Sequence, residues 1–143
     1  MKRFALVLPV LLALGFLASL ALAQDANTYI AQGIQDMEAG KYDKALQDFG
    51  QALKLKPNDP AIYDYLGVAK RGKNLNDPAL QDFNKAIQLD PKFARAYRDR
   101  AMVYFDKTDY NKSLADLLQA RSLGYHVDED FVKMVRRKAA EKR

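Results

Sequence analysis

One stretch of this chain, Asp77 to Pro91, occurs three times at a fixed spacing of 34 residues. Its apolar positions, Ala79, Leu80, Phe83, Ala86, Ile87 and Leu89, recur three and four apart, the pattern of an amphipathic helix. Pro91 stops that helix, because proline has no N–H to donate and its ring collides with the preceding turn. One period earlier, Ala45, Leu46, Asp48, Phe49, Ala52, Leu55 and Pro57 fall on the equivalent positions. One period later the matches are Ser113, Leu114, Asp116, Leu117, Ala120 and Leu123, with Tyr125 in the proline position. A unit this short cannot bury its own apolar face, so successive units must stack on one another into an elongated array.

Composition narrows the chemistry such an array can carry. Hydrophobic residues make up 49% of the 143-residue chain, enough for a packed core. There is no Cys and a single His, which removes disulfides, thiolate metal sites and cysteine nucleophiles. The net charge of +5 is unevenly placed. Residues 24–132 hold 15 Lys/Arg against 17 Asp/Glu, whereas residues 133–143 hold six against one. The body of the chain therefore lacks the basic stripe that nucleic acid requires, and no nucleic-acid partner is expected.

Within each unit a second helix is expected ahead of the first, giving an A helix and a B helix. Gly33, Gly67 and Ala101 are small where helix A must approach helix B, and Ala45, Ala79 and Ser113 are the facing small residues. Tyr29, Tyr63 and Tyr97, with Phe49, Phe83 and Leu117, are expected to fill the space between helices. Asp59-Pro60 reads as a cap followed by an N1 proline, and Asp77-Pro78 reads the same way. Gly40 and the 72–76 segment mark turns from A to B, and Gly124 is placed to end the third B helix in a left-handed cap. Beyond it, Asp128, Glu129 and Asp130 favour a helix start and the following Lys/Arg its end. That helix opens like a fourth helix A, with Phe131 one period after Tyr97. It then turns polar, as a helix covering the end of an array should.

These positions resemble the tetratricopeptide repeat, a 34-residue unit with a large aromatic, Leu-Gly, Tyr, Ala-x3-Phe and a final Pro. Residues 26–59 supply Tyr29, Gly33, Gly40, Tyr42, Ala45, Phe49, Ala52 and Pro57. Residues 60–93 supply Tyr63, Leu66, Gly67, Ala79, Phe83, Ala86 and Pro91, and residues 94–127 supply Tyr97, Ala101, Tyr104, Tyr110, Ser113, Leu117 and Ala120. Gln32 and Arg100 depart from the expected Leu, Asp36 and Lys70 from the expected Tyr, and Tyr125 from the last Pro. The resemblance implies an all-α fold. It would be a right-handed superhelical α-solenoid of three helix-turn-helix units (26–59, 60–93, 94–127), closed by a C-terminal capping helix and basic tail over 128–143.

The amino terminus reads as an address. Lys2 and Arg3 precede an apolar run from Phe4 to Leu22, and Ala21-Leu22-Ala23 then gives the small residues of a cleavage site. A secretory signal peptide over residues 1–23 is expected, of bacterial style, which makes the folded part periplasmic or secreted. The alternative is an uncleaved inner-membrane anchor, since about 20 apolar residues span a bilayer.

No Gly-rich phosphate loop, G-x-S-x-G or H-E-x-x-H occurs. His126 has no evident catalytic companion and falls in a loop. Asp128, Glu129 and Asp130 lack the alternating ligands and central Gly of a calcium loop and suit helix capping. No enzyme activity, cofactor or metal is expected.

The family resemblance directs attention instead to the groove lined by the A helices, where a partner protein or peptide docks. It assigns Ile30 and Ile34 from the first unit, Asp64, Tyr65, Val68 and Arg71 from the second, and Arg95, Arg98, Met102 and Phe105 from the third. Arg71, Arg95 and Arg98 suit a carboxylate or acidic segment, because Arg pairs in bidentate fashion. Ile30, Ile34, Tyr65, Met102 and Phe105 are residue types enriched in interfaces. The family's clamp for chaperone C-terminal carboxylates uses Lys and Asn where this chain has Ile30, Ile34 and Tyr65, so that ligand is not implied. The tail from Lys133 to Arg143 offers contact with anionic lipid or an acidic partner. The expected function is a non-enzymatic protein–protein interaction module of the bacterial envelope, an adaptor or assembly factor. A holdase-like chaperone for exported clients and a membrane-tethered regulatory subunit are the alternatives.

Overall fold

The computed structural model describes residues 25–141; the signal segment expected over residues 1–23, and with it the cleavage or anchoring question, lies outside them. The described residues form seven helices and no strand. The helices are α1 (25–38), α2 (Tyr42–Leu55), α3 (Pro60–Gly72), α4 (Asn76–Leu89), α5 (Ala94–Asp106), α6 (Tyr110–Ser122) and α7 (Glu129–Glu141). None of them is long and apolar enough to cross a membrane. Neighbours in sequence are neighbours in space: α3 packs most extensively on α4 and α5 on α6, α2 and α4 bridge to the next pair, and α7 covers α6. In addition α3 touches α5, so the first helices of successive pairs lie side by side.

The helix starts and stops follow local chemistry. Asp59 caps α3, its Oδ1 accepting from the Ala61 N–H at 2.9 Å, with Pro60 at the first position. Asp77-Pro78 does not repeat this. Helix α4 begins one residue before Asp77, Leu75 holds the cap position without a side-chain bond, and Asp77 pairs instead with Lys107 at 2.7 Å. The first helix of every pair ends identically. Gly40, Asn74 and Thr108, spaced by the repeat period, all take left-handed φ (72°, 60° and 59°). The next N–H reaches back to a carbonyl of the last turn: Lys41 to Asp36, Leu75 to Lys70 and Asp109 to Tyr104. Gly124, at φ 87°, ends α6 the same way, with the Tyr125 N–H donating to the Ala120 carbonyl.

The close approach of the paired helices rests on the small residues. A Cβ on Gly67 would lie 2.7 Å from the Phe83 ring, and one on Gly33 would lie 2.6 Å from the Phe49 ring. Phe49, Phe83 and Leu117 are fully buried at the centres of the pairs, with Ala45, Ala79 and Ser113 beside them. The tyrosines expected in this space do something else. Tyr63 and Tyr97 are half-buried and donate their hydroxyls to the carbonyls of Pro57 (3.1 Å) and Pro91 (3.2 Å), latching each α-helix to the connector before it. Tyr29 is 38% exposed. At the third step Phe131 has no hydroxyl and Tyr125 replaces the proline, so this latch is missing. The connector there runs over residues 123–128, two longer than those at 56–59 and 90–93. Helix α7 is also less polar than expected: Val132, Val135 and Ala139 form a buried stripe against α6 that runs nearly to its end.

One carboxylate recurs at Asp48, Asp82 and Asp116, and each pair of helices answers it differently. Lys70 meets Asp82 at 2.6 Å, and Arg100 makes a bidentate pair with Asp116 at 2.7 and 2.8 Å. Asp48 faces another acid, Asp36, at the position of Lys70. Burial first, and the Asp36 charge second, push the Asp48 carboxyl above its ordinary value. A folded-state value above the unfolded one means that this group favours folding at low pH. The benefit is lost as pH rises from about 3.8 through the raised value. Asp36→Lys should recreate the Lys70–Asp82 pair. We expect a gain of about 0.5–1 kcal/mol at neutral pH, read as a rise in Tm, and no such gain at pH values where Asp48 is protonated.

Candidate binding groove

The groove forms on the face where α1, α3 and α5 run side by side, and α3 and α5 supply its floor. The floor is a stack of three side chains. Phe49 of the core lies flat against Tyr65, centroids 5.2 Å apart and planes 11° from parallel, and the Arg95 guanidinium sits 4.4 Å above the other face of Tyr65. Arg95 Nε donates to Asp64 Oδ2 at 2.7 Å. Asp64 is completely buried although it sits on the groove side of α3. Burial pushes its carboxyl up to about 7, the nearby Asp99 charge adds to the effect, and Arg95 and Arg98 oppose it. For Arg95, burial is the largest single influence and opposes the charge, but Asp64, Tyr65 and Asp99 together outweigh it, and its pKa lies above the ordinary value.

The three arginines expected to await an acidic ligand are already engaged. Arg71 pairs with Asp106 at 2.6 Å, Arg95 with Asp64, and Arg98 with the adjacent Asp99. The carboxylates come from the same helices α3 and α5 as the arginines, and Glu38 and Asp128 also line the face, so it is not positive. Sequence reasoning placed the arginines on the correct face but could not see their partners. Arg71 and Asp106 are 35 residues apart, about one period, and only the stacking of α3 on α5 makes them neighbours.

Three cavities line this face and share residues end to end. The first, about 560 Å³, is bounded by Met37, Tyr42, Val68, Arg71, Asn74 and Asp106. The second, about 210 Å³, lies over Asp64, Tyr65, Arg95 and Asp99 and shares Met37, Val68 and Arg71 with the first. The third, about 360 Å³, lies between α5 and α7 around Met102, Tyr125, His126 and Phe131, and shares Arg98 with the second. Of the residues the sequence pointed to, Asp64, Tyr65, Val68, Arg71, Arg95, Arg98 and Met102 therefore line these three neighbouring cavities. Ile30 and Ile34 pack half-buried on the core of the first pairs. Phe105 is not brought to the groove: its ring is held between Tyr110 and Phe131, at 5.5 and 5.3 Å, within the α5–α6–α7 cluster.

The third cavity was missed from sequence. It lies beside the last connector, which is longer and unlatched, and the substitution of Tyr125 for proline was the available signal. His126 is exposed on that connector, and Asp128 caps α7, accepting from the N–H groups of Asp130 (2.8 Å) and Phe131 (3.0 Å), which holds its carboxyl below the ordinary value. Among the described residues no group of three or more His, Cys, Asp or Glu side chains is placed to hold a metal ion.

Residues 26–73 match the family model described as TPR repeat. No curated protein sequence matches the chain. Solved structures do. The Arabidopsis OM64 TPR domain is 20% identical, covering 85% of this chain and 99% of that one, with a TM-score of 0.75. The TPR2B domain of yeast Sti1, in complex with pHsp70, is 24% identical over 84% of this chain and 99% of that one, TM-score 0.73. The first TPR of Spaghetti (RPAP3), bound to the HSP90 peptide SRMEEVD, is 20% identical over 82% and 95%, TM-score 0.76. The fold is that of the TPR domains.

Proposed function

We propose that this chain is a non-enzymatic protein–protein interaction module that takes an extended segment of a partner along the α1–α3–α5 face. The observation that carries the reading is the row of three neighbouring cavities along the first helices of the pairs, which share Met37, Val68, Arg71 and Arg98 as lining residues. Half-buried Met37, Tyr65, Val68 and Met102 provide apolar contact along it, and each of its three arginines is already met by a carboxylate. The Sti1 and RPAP3 domains, similar in fold, are solved with pHsp70 and with an HSP90 peptide. The partner segment here differs in chemistry, because Ile30, Ile34 and Tyr65 replace the polar clamp and the arginines are internally paired. The expected signal segment supports a place in the bacterial envelope, as an adaptor or assembly factor.

The test is a photo-crosslinking residue at Val68, which borders two of the cavities, with a control at Lys85 on α4, in intact cells. The reading expects one discrete adduct from Val68, absent from Lys85 and lost on Met37→Lys. A broad smear of adducts would favour a holdase instead, and equal labelling from both positions would refute the groove.

A further inference from the structure

Once its ion pairs are matched, the groove is left with an excess of acid. Across the three cavities Glu38, Asp64, Asp99, Asp106 and Asp128 stand against Arg71, Arg95 and Arg98. Each arginine is held by one carboxylate: Arg71 by Asp106, Arg95 by Asp64 and Arg98 by Asp99. Glu38 and Asp128 remain, one in the first cavity and one in the third, and the balance stays negative even when Asp64 takes up a proton. Asp128 is occupied in capping α7. Glu38 is exposed and has no hydrogen bond or ion pair among the described residues. The nearest lysines, Lys41, Lys44 and Lys73, open on a separate cavity around the turn at Gly40. There Lys73 is held by Asp43, and Lys41 lies 3.8 Å from Asp36.

The first cavity combines that free carboxylate with the surfaces a long cationic side chain needs. Met37, Val68 and Tyr42 offer apolar contact to an alkyl stem. The Tyr42 ring can lie against α3 because Gly72 has no Cβ, which would collide with it. An aromatic ring beside a carboxylate suits an ammonium or a guanidinium. Arg71 lines the same cavity, but Asp106 meets it at 2.6 Å, so two carboxylates stand there against one arginine. An acidic side chain entering would face Glu38 with no unmatched cation to receive it.

We propose that the first cavity is a subsite for a lysine or arginine side chain of the bound segment, recognised by Glu38 and Tyr42 and closed to acidic residues. This rests on the groove reading above and names the chemistry of the partner: a basic segment, the reverse of the acidic one that unpaired arginines would draw.

The probes are the N-acetyl methylamides of lysine, of norleucine, which has the same chain without the ammonium, and of glutamate. Each is titrated at neutral pH and low salt into protein carrying isotope-labelled methionine methyls, followed by NMR. Met37 borders the first and second cavities and Met102 the third, so the two methyl resonances separate this subsite from the far end of the groove. The lysine probe should shift Met37 saturably and leave Met102 in place, with a Kd about tenfold below that of norleucine, the ratio a charge-assisted hydrogen bond supplies. The glutamate probe should give no saturable shift. Glu38→Gln keeps the size of an exposed side chain that bonds to nothing else, so the fold is retained, and it should bring lysine and norleucine to parity. Asp106→Asn, which releases Arg71 into the cavity, should also remove the preference for lysine. Norleucine binding as tightly as lysine to the unmodified protein would overturn the proposal, as would glutamate binding best. So would a lysine shift at Met102 in place of Met37, no saturable shift from any probe, or a lysine preference unchanged by Glu38→Gln. The probes require no partner, so a discrete crosslink at Val68 with a failed titration removes the subsite alone, whereas equal labelling at Val68 and Lys85 removes the groove.

Discussion

Phe83→Ala is expected to destabilise the domain by about 3–5 kcal/mol, enough to abolish the cooperative transition of so short an array near physiological temperature. Phe83 is fully buried in the middle pair, and its ring lies directly over Gly67. Its removal opens a void at the centre, where both flanking pairs lean on the middle one, so a local cavity becomes a global loss. The cause can be separated from loss of hydrophobicity by a double-mutant cycle. Gly67→Ala alone should destabilise, because its Cβ would sit 2.7 Å from the ring. In a Phe83→Leu background the same change should be neutral or stabilising, since the methyl then occupies vacated space. Chemical denaturation of the four proteins reads the coupling. Additive effects would show that the ring and the glycine do not share that space.

Arg100→Met carries the second large effect, a loss of about 3 kcal/mol. Arg100 holds Asp116 through two hydrogen bonds, donates a third to Asn84 at 2.6 Å, and lies over the rings of Tyr97 and Tyr104 at 5.5 and 5.9 Å. Asp116 is only 7% exposed. Without its partner it is a nearly buried, unpaired carboxylate, and the cost is chiefly that orphaned charge. Removing both charges should therefore be far milder than removing one. Arg100→Leu combined with Asp116→Leu is expected within about 1 kcal/mol of the original stability. Equilibrium unfolding of the single and double variants decides it: a double variant as unstable as Arg100→Met would show that packing, not charge, explains the site.

Arg100 also illustrates what could be read before the fold was known. In the repeat pattern it is a departure, an arginine where leucine is expected, and nothing local says why. The carboxylate that explains it is 16 residues away on the next helix. The same holds for Arg71, Arg95 and Arg98. Their positions on the A helices were evident from the period, but their chemistry was reversed by partners, which the stacking of α3 on α5 supplies for Arg71 and Arg95 and the neighbouring Asp99 for Arg98. A free arginine attracts an acidic ligand, and a paired one contributes a balanced, polar floor.

The sequence by itself determined the helical period, the pairing of helices and the small and aromatic residues packed at the centres of the pairs. Gly67 against Phe83 and Gly33 against Phe49 are contacts between residues 16 apart, fixed once each unit folds back on itself. Local chemistry also set the ends of the helices, from Asp59 capping α3 to Gly124 closing α6. What tertiary structure alone decided was the electrostatics of the groove and its extent. Asp64 became buried, with its carboxyl raised, because α5 closes over α3. Phe105 was drawn away from the face into the cluster with Phe131. A third cavity opened where the Tyr–carbonyl latch is missing. Apolar periodicity is a property of one helix and can be read along the chain. Burial, ion pairing and cavity shape depend on which side chains different helices bring together, and that is set by stacking.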